Sequence, residues 1–184
     1  MIKVIILNGC PNIGKDTLAD LMVTRNQAKK LQFKDVLYVE TAKYFDIPVD
    51  GLINLSTDRD YKERPSLALK GYTPREALIH VSEEVIKPKY GNDFFGLKMI
   101  DNIINSGYDF IVVPDGGFVA EFEVLAKYLT LDVHLVRLHR EGYDFEKDSR
   151  NYVYSVDNIT EHDVTLTHGQ VEQGFKDLLK TIGE

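Results

Sequence analysis

A glycine-rich segment with one lysine follows the first apolar stretch of the chain. Residues 2–8 are mostly β-branched, and the next residues read GCPNIGK, which has the spacing G-x-x-x-x-G-K. Between a strand and a helix, this pattern surrounds one anion with backbone N–H groups and a helix N-terminus, and its lysine reaches phosphate oxygens. Apolar residues at helical spacing follow the lysine. The segment predicts a phosphate-binding loop made of Gly9, Asn12, Ile13, Gly14, Lys15, Asp16 and Thr17. The alternative is an ordinary glycine-rich turn between a strand and a helix.

Three oxygen-bearing side chains are candidate ligands of Mg²⁺. A phosphate-binding loop usually has Ser or Thr directly after the lysine, whereas this chain has Asp16 there and its hydroxyl one residue later, at Thr17. Asp16 either meets the metal through a water or is a first-turn carboxylate favoured by the helix dipole. Asp115 ends a later apolar strand, where a parallel sheet presents its ligand edge. It either helps to hold Mg²⁺ or starts a turn with the two glycines that follow.

Four arginines are candidates for contacts with phosphate. Arg75 follows Thr73 and Pro74 and precedes Glu76, a sequence that predicts a capping box at a helix N-terminus. A cation opposes the dipole there, which suits joint binding of an anion, although a solvated surface arginine would also fit. Arg137, Arg140 and Arg150 flank a polar loop at about 139–157. We predict a lid that closes over phosphates and excludes water, although a charged loop is also compatible with simple solvation.

Composition limits the classes of partner. The chain has 184 residues and a net charge of −7 without a dense basic block, which argues against nucleic acid or a membrane as partner. No apolar stretch is long enough to cross a bilayer, and the short N-terminal apolar run lacks the basic flank of a signal peptide. The single cysteine, Cys10, suits a reducing compartment. We therefore expect a cytoplasmic protein, in a host cytoplasm if it is phage-encoded, with small-molecule partners and a homodimer as an open alternative.

Apolar strands alternate with helical patterns along the chain. This alternation predicts an α/β fold with a parallel sheet and helices on both faces. We expect strands at 2–8, 110–115, 132–138 and 164–166, and helices after Lys15 and at 35–45, 74–85, 94–105, 118–129 and 171–182. Residues 46–71 are charged and lack a clear period, so they predict a long irregular connection. The length fits one domain, 1–184, with an insertion at about 46–72.

Five segments together resemble a known family. They are GKDTLAD at 14–20, FKDVL at 33–37, TPREAL at 73–78, DGGFVAE at 115–121 and TLTHG at 165–169. With them the chain resembles the P-loop nucleoside monophosphate kinases, and most closely the deoxynucleoside monophosphate kinases of bacteriophages. Two positions depart from that family, because Gly117 stands where an arginine is usual and His168 stands where asparagine is frequent. The arginine is either missing or replaced from elsewhere in the chain.

The resemblance implies a fold, an activity and roles for particular residues. The fold is a three-layer α/β/α P-loop NTPase fold with a mostly parallel five-stranded sheet, and the 46–72 insertion lies on the acceptor side. The reaction transfers the γ-phosphoryl group of ATP to a deoxynucleoside 5′-monophosphate, with Mg²⁺. Lys15 neutralises the moving phosphoryl group, and Arg137, Arg140 and Arg150 stack on the adenine or stabilise the transition state. Arg75 binds the acceptor phosphate, with Asp35 and Arg64 as further acceptor-side candidates.

Two other functions remain open from the sequence. Another small-molecule P-loop kinase, acting on a coenzyme precursor, a phosphorylated mevalonate or a sugar acid, would have the same loop and fold. A non-catalytic ATP-binding protein would also retain the loop. A guanine-reading N-K-x-D motif is absent, which argues against a GTPase switch.

Overall fold

Five parallel strands form the central sheet. The computed structural model describes residues 1–58, 60–146 and 150–184. The strands are β1 (Ile2–Asn8), β2 (Lys29–Lys30), β3 (Phe110–Val113), β4 (Leu131–His139) and β5 (Thr160–Thr165). Their order in the sheet is β2-β3-β1-β4-β5, and each neighbouring pair is parallel. In the register of the sheet, Ile5 of β1 lies opposite Val112 of β3 and His134 of β4. The predicted α/β fold with a five-stranded parallel sheet is confirmed, and helices cover the sheet in a three-layer α/β/α arrangement.

Helices connect β1 to β2, β2 to β3 and β3 to β4, whereas the described residues between β4 and β5 form no helix. They are α1 (Lys15–Asn26), α2 (Phe33–Phe45), α3 (Val49–Thr57), α4 (Pro74–His80), α5 (Lys87–Tyr90), α6 (Phe94–Asn105), α7 (Val119–Ala126) and α8 (Val171–Ile182). A 3₁₀ turn spans Leu67–Leu69, and a π-helical segment, Val81–Ile86, joins α4 to α5. No helix among the described residues is both long and apolar enough to cross a membrane.

The core forms on both faces of β1, because successive side chains of a strand point to opposite faces. Ile5 and Leu7 point to one face, where they join a buried cluster with Met22 of α1 and Phe175 of α8. The alternate residues Val4 and Ile6 point to the other face and are also fully buried. Burial on both faces explains why the strand reads as a continuous apolar run rather than an alternating one.

The chain divides into two compact units. The first unit comprises Met1–Gln32 and Met99–Glu184, and contains the whole sheet. The second unit, Phe33–Lys98, is helical. The segment 46–72, predicted as an insertion, is part of this second unit.

Three elements differ from the sequence-based prediction. Residues 46–71 are not wholly irregular, because Val49–Thr57 forms a helix that buries Leu52. This helix has no side-chain cap at Pro48, so the usual start signal is missing. The last strand is Thr160–Thr165 rather than 164–166, since polar residues occupy most of an edge strand that pairs on one side. The short β2, Lys29–Lys30, was not predicted and has no apolar pattern of its own.

Candidate phosphate-binding site

The topology places one crevice at the carboxyl edge of β1 and β3. These two strands are neighbours in the sheet. From β1 the chain runs towards β2, at one edge of the sheet, whereas from β3 it runs in the opposite direction, towards β4. In open α/β sheets, ligands bind where the connections diverge in this way. The segments that follow β1 and β3, residues 9–14 and 114–118, therefore lie where a ligand is expected, and both belong to the first unit.

The backbone of the loop after β1 depends on glycine at two positions. Gly14 has φ 119° and directly precedes α1, a conformation that disfavours residues with a Cβ. At Gly9, a Cβ would lie 3.2 Å from the carbonyl oxygen of Leu138 and 3.1 Å from the Ile13 side chain. Asn12 also has a positive φ of 61°. Glycine at positions 9 and 14 thus allows the tight loop that the sequence motif predicts.

Lys15 folds back over the loop from the first turn of α1. Its Nζ atom donates to the carbonyl oxygens of Gly9, at 2.5 Å, and Cys10, at 2.7 Å. The residue is only 8% exposed. An ammonium group inside a loop, next to a helix N-terminus, places positive charge where phosphate oxygens would bind. The first N–H groups of α1 lack acceptors within the helix and add to this positive end.

Asp16 and Thr17 occupy different surroundings. The Asp16 carboxylate accepts from Lys30, at 2.9 Å, and Lys30 also bonds Asp20 at 2.9 Å. This arrangement favours a structural, first-turn role for Asp16. Thr17 is exposed and lines a cavity beside the loop. Among the described residues, no group of three or more His, Cys, Asp or Glu side chains could hold a metal ion. Mg²⁺ in phosphate-transfer sites takes only one or two protein oxygens besides phosphate and water, so Thr17 and Asp115 remain suitable donors.

Asn8 fastens the end of β1 to both neighbouring loops. Its amide group donates to the carbonyl oxygens of Gly116, at 3.3 Å, and Asn151, at 3.1 Å, while its oxygen accepts from the N–H of Val153 at 3.0 Å. The residue is buried, with 1% exposed. These bonds fix the loop that carries Asp115 against the end of β1. Sequence reasoning missed Asn8, although a polar residue at the end of an apolar strand is a signal that could have found it.

Glu121, in the first turn of α7, binds the backbone of the loop that carries Asp115. Its carboxylate accepts from the N–H groups of Gly117 and Phe118, both at 3.2 Å. The net effect of its surroundings raises the pKa of Glu121 to about 7: burial is the largest cause and outweighs the two backbone donors, which lower the pKa, and the Asp115 carboxylate also raises it. The Arg150 guanidinium acts in the opposite direction. Asp115, Glu121 and Arg150 therefore form one electrostatic group at the carboxyl edge of β3.

Arg137 lies in strand β4, as predicted, just before the polar loop that it was expected to flank. Its guanidinium donates to both carboxylate oxygens of Asp163, at 3.0 and 2.7 Å, to Glu161 at 2.5 Å and to the carbonyl oxygen of Val153 at 3.0 Å. Its side chain is 6% exposed. These bonds raise the pKa of Arg137 and hold the pKa of Asp163 well below its usual range. In this arrangement Arg137 joins β4 to β5, and its catalytic role stays a prediction.

Arg140 lies at the rim of the cavity that Thr17 lines. The cavity has a volume of about 170 Å³ and lies between the loop after β1 and the loop after β5, with Asn12, Gly14 and Thr167 in its wall. Arg140 packs over the ring of Tyr143, 4.5 Å from its centroid, and hydrogen-bonds Nδ1 of His168. The structure thus brings Arg140 close to the phosphate-binding loop, and His168 is the neighbour that orients it.

Arg150 starts a segment that is fastened to the sheet. Beyond the Asn8 bonds to Asn151 and Val153, the Tyr152 hydroxyl donates to the carbonyl oxygen of Leu138 at 2.7 Å. The end of the predicted lid, 151–156, is thus held by both β1 and β4. Residues 147–149 of the predicted lid lie outside the described residues.

The three acceptor-side candidates are exposed residues of the second unit. Asp35 lies in the first turn of α2, and Arg64 packs 5.8 Å from the ring centroid of Tyr61. Arg75 lies in the first turn of α4 and forms a long 3.6 Å ion pair with Glu63. The predicted capping box is confirmed, since Glu76 accepts from the Thr73 N–H at 2.9 Å and donates its own N–H to Thr73 Oγ1 at 3.1 Å.

Comparisons with known proteins give no family. No protein-family model matches the sequence, and no curated protein matches it. Among solved structures, the chain is similar to an unliganded sugar kinase from Janibacter sp. HTCC2649, with 12% identity and a TM-score of 0.46. That match covers 100% of this chain and 95% of the sugar kinase. At this identity and TM-score, the similarity indicates neither a family nor a substrate.

Proposed function

We propose that the protein is an ATP-dependent kinase whose acceptor is a deoxynucleoside 5′-monophosphate. The observation that carries the proposal is the position of Lys15, buried in a glycine-dependent loop between the central strand and α1, at the crevice where the connections of β1 and β3 diverge. This site has the charge and shape for the phosphates of a nucleotide donor. The acceptor class rests on the resemblance to phage deoxynucleoside monophosphate kinases.

The residues of the first unit fit the donor. Backbone N–H groups at the start of α1 bind the phosphates, and Lys15 exchanges its two carbonyl partners for phosphate oxygens. The cavity beside the loop accommodates part of the nucleoside, with Arg140 available to stack on the base. Thr17 and Asp115 would hold Mg²⁺, which neutralises phosphate charge when bound.

Phosphoryl transfer to a phosphate needs no strong general base. The second pKa of a phosphate monoester is near 6, so the acceptor oxygen is largely ionised at neutral pH. The protein must therefore position two anions and neutralise their charge. Arg75 supplies a bidentate donor for the acceptor phosphate at the N-terminus of a capped helix, where both charges favour an anion.

The experiment is ADP formation from Mg-ATP with each common dNMP and NMP offered singly. ADP release with one or a few deoxynucleotides would support the proposal and identify the base. ADP release with a coenzyme precursor, phosphomevalonate or sugar acid, but with no nucleotide, would retain the kinase and replace the acceptor. ATP binding without ADP release for any acceptor would indicate a non-catalytic ATP-binding protein.

A further inference from the structure

Gly117 is a glycine for a reason other than backbone conformation. Its φ lies outside the left-handed region, so the backbone would accept a residue with a Cβ. A Cβ at this position would, however, lie 2.6 Å from Cδ, 2.9 Å from Cγ and 3.1 Å from Cβ of Arg150. The space over position 117 is already filled by the aliphatic part of Arg150.

The backbone of Arg150 is restrained by the bonds of the residues that follow it. The segment that follows it is fastened by Asn8, which bonds the carbonyl oxygen of Asn151 and the N–H of Val153. The close approach also includes Arg150 Cβ, which moves only with the backbone. A side chain at position 117 would therefore displace the arginine, because a rotamer change at its tip would not relieve the contact.

The packing of Arg150 on Gly117 places the Arg150 guanidinium near the carboxyl edge of β3. Gly117 is two residues from Asp115, and the charge of Arg150 acts on Glu121, which accepts from the N–H of Gly117. The Glu121 carboxylate already has two backbone donors. Arg150 is partly exposed, and its stem packs on Gly117 in the loop that follows β3 at the carboxyl edge of the sheet. A guanidinium at such a place presents a planar pair of donors that matches phosphate.

We propose that Arg150 is a phosphate-binding residue of the nucleotide site and that Gly117 is its positioning partner. The guanidinium at this place thus comes from Arg150, in the connection between β4 and β5, and not from the side chain of residue 117. The inference rests on the proposed function and assigns a position to one of the three arginines that the sequence left undistinguished.

The test compares Arg150→Ala, Arg150→Lys, Gly117→Ala and the double variant Gly117→Ala/Arg150→Ala. Steady-state kinetics with ATP and the best dNMP are read together with calorimetric affinities for both nucleotides and with thermal unfolding. Arg150→Lys keeps the charge and most of the stem but loses the planar pair of donors. We expect Arg150→Lys and Arg150→Ala to lower kcat/KM about tenfold or more, the size of a hydrogen bond to a charged group.

Coupling between the two positions is the decisive result. Gly117→Ala should lower kcat/KM as Arg150→Ala does, and the double variant should be no worse than Arg150→Ala, because the displaced arginine no longer contributes. The variant Gly117→Arg/Arg150→Gly should recover part of the activity, as it returns a guanidinium to the same place. Arg25→Ala is the matched control, because Arg25 pairs with Glu172 on the surface at the far end of α1.

Three outcomes would overturn the inference. They are kinetics and nucleotide affinities within twofold of the unmodified protein for both Arg150 variants, losses that multiply in the double variant, or a fall in thermal stability without any change in nucleotide affinity. If the unmodified protein binds nucleotides but forms no ADP, the proposed function fails separately. The affinities for ATP and dNMPs then decide the Arg150 inference by the same comparison.

Discussion

The ammonium group of Lys15 lies 2.5 Å from the carbonyl oxygen of Gly9, inside the loop that it is expected to serve. Together with the bond to Cys10, this contact holds the lysine over the loop without any ligand. A phosphate would exchange neutral carbonyl partners for charged oxygens, which form stronger hydrogen bonds to an ammonium group. In the proposed function, Lys15 is therefore held near the phosphate position in the ligand-free protein.

Lys15→Ala should abolish phosphoryl transfer with the fold retained. Loss of one charge-stabilising donor costs on the order of 10²-fold or more in kcat, and the affinity for ATP should also fall. The measurement is ADP release, with circular dichroism to check folding. Lys180→Ala, at an exposed position of α8, is the matched control, and its kinetics should equal those of the unmodified protein. Unchanged transfer in Lys15→Ala would contradict the assignment of the donor site.

Arg75→Ala should chiefly weaken the use of the acceptor. The guanidinium lies at the N-terminus of α4 and has a long, exposed ion pair with Glu63, so its loss should cost little stability. We expect the KM for the dNMP to rise roughly tenfold, the size of a charged hydrogen bond, while the KM for ATP stays the same. Glu63→Gln is the informative control, because it removes the partner and leaves the arginine. If Glu63→Gln raises the acceptor KM as much as Arg75→Ala does, Arg75 acts through its ion pair and does not bind the acceptor.

Glu121 should make the protein less stable as the pH rises through neutrality. Burial raises its folded-state pKa to about 7 from 4.5, so the folded protein holds a proton that the unfolded chain releases at lower pH. The stabilisation is fully present below pH 4.5 and is lost as the pH rises to about 7. The size is about 3 kcal/mol between pH 4 and pH 8. Glu121→Gln keeps an acceptor oxygen for the two N–H groups but does not titrate.

The measurement is the free energy of unfolding in urea for the unmodified protein and Glu121→Gln at several pH values. The difference between the two proteins isolates this carboxyl, because the other titrating groups are common to both. A difference that does not change between pH 4 and pH 8 would show that Glu121 is not held protonated by the fold.

Local chemistry explains which elements the sequence could predict. The cap of α4 involves Thr73 and Glu76, three residues apart, so its signal lies within one window of sequence. The loop after β1 is equally local, because its glycines and Lys15 are neighbours in the chain. Buried strands such as β1 can be predicted from their run of apolar residues alone.

Long-range pairs explain what the sequence could not predict. The partners of Arg137 lie on the neighbouring strand, at Glu161 and Asp163, and an ion pair across two strands leaves no periodic signal. The contact between Gly117 and Arg150 is similar, since it joins two connections that only the sheet order brings together. The sequence could therefore identify such residues as candidates from their chemical type, but it could not predict which residues they contact.

Arg137 should contribute mainly to stability. Its guanidinium is nearly buried and bonds two carboxylates and a backbone carbonyl. Arg137→Met removes these bonds, while Asp163 keeps its bond to His139 and Glu161 keeps its bond from the Val156 N–H. We expect a loss of about 2 kcal/mol, less than for a fully buried pair because Asp163 is half-exposed. Arg137 is the main cause of the lowered pKa of Asp163, and His139 also lowers it. Asp163 therefore stabilises the folded protein at pH values above its ordinary pKa of 3.8, and this stabilisation is lost as the pH falls, so the variant should lose the larger part of this pH dependence. Urea unfolding at pH 7 and pH 3 measures both effects, and Arg25→Ala, with its exposed ion pair, should change the midpoint much less. A fall in kcat for Arg137→Met with unchanged stability would instead support the catalytic role that the sequence predicts.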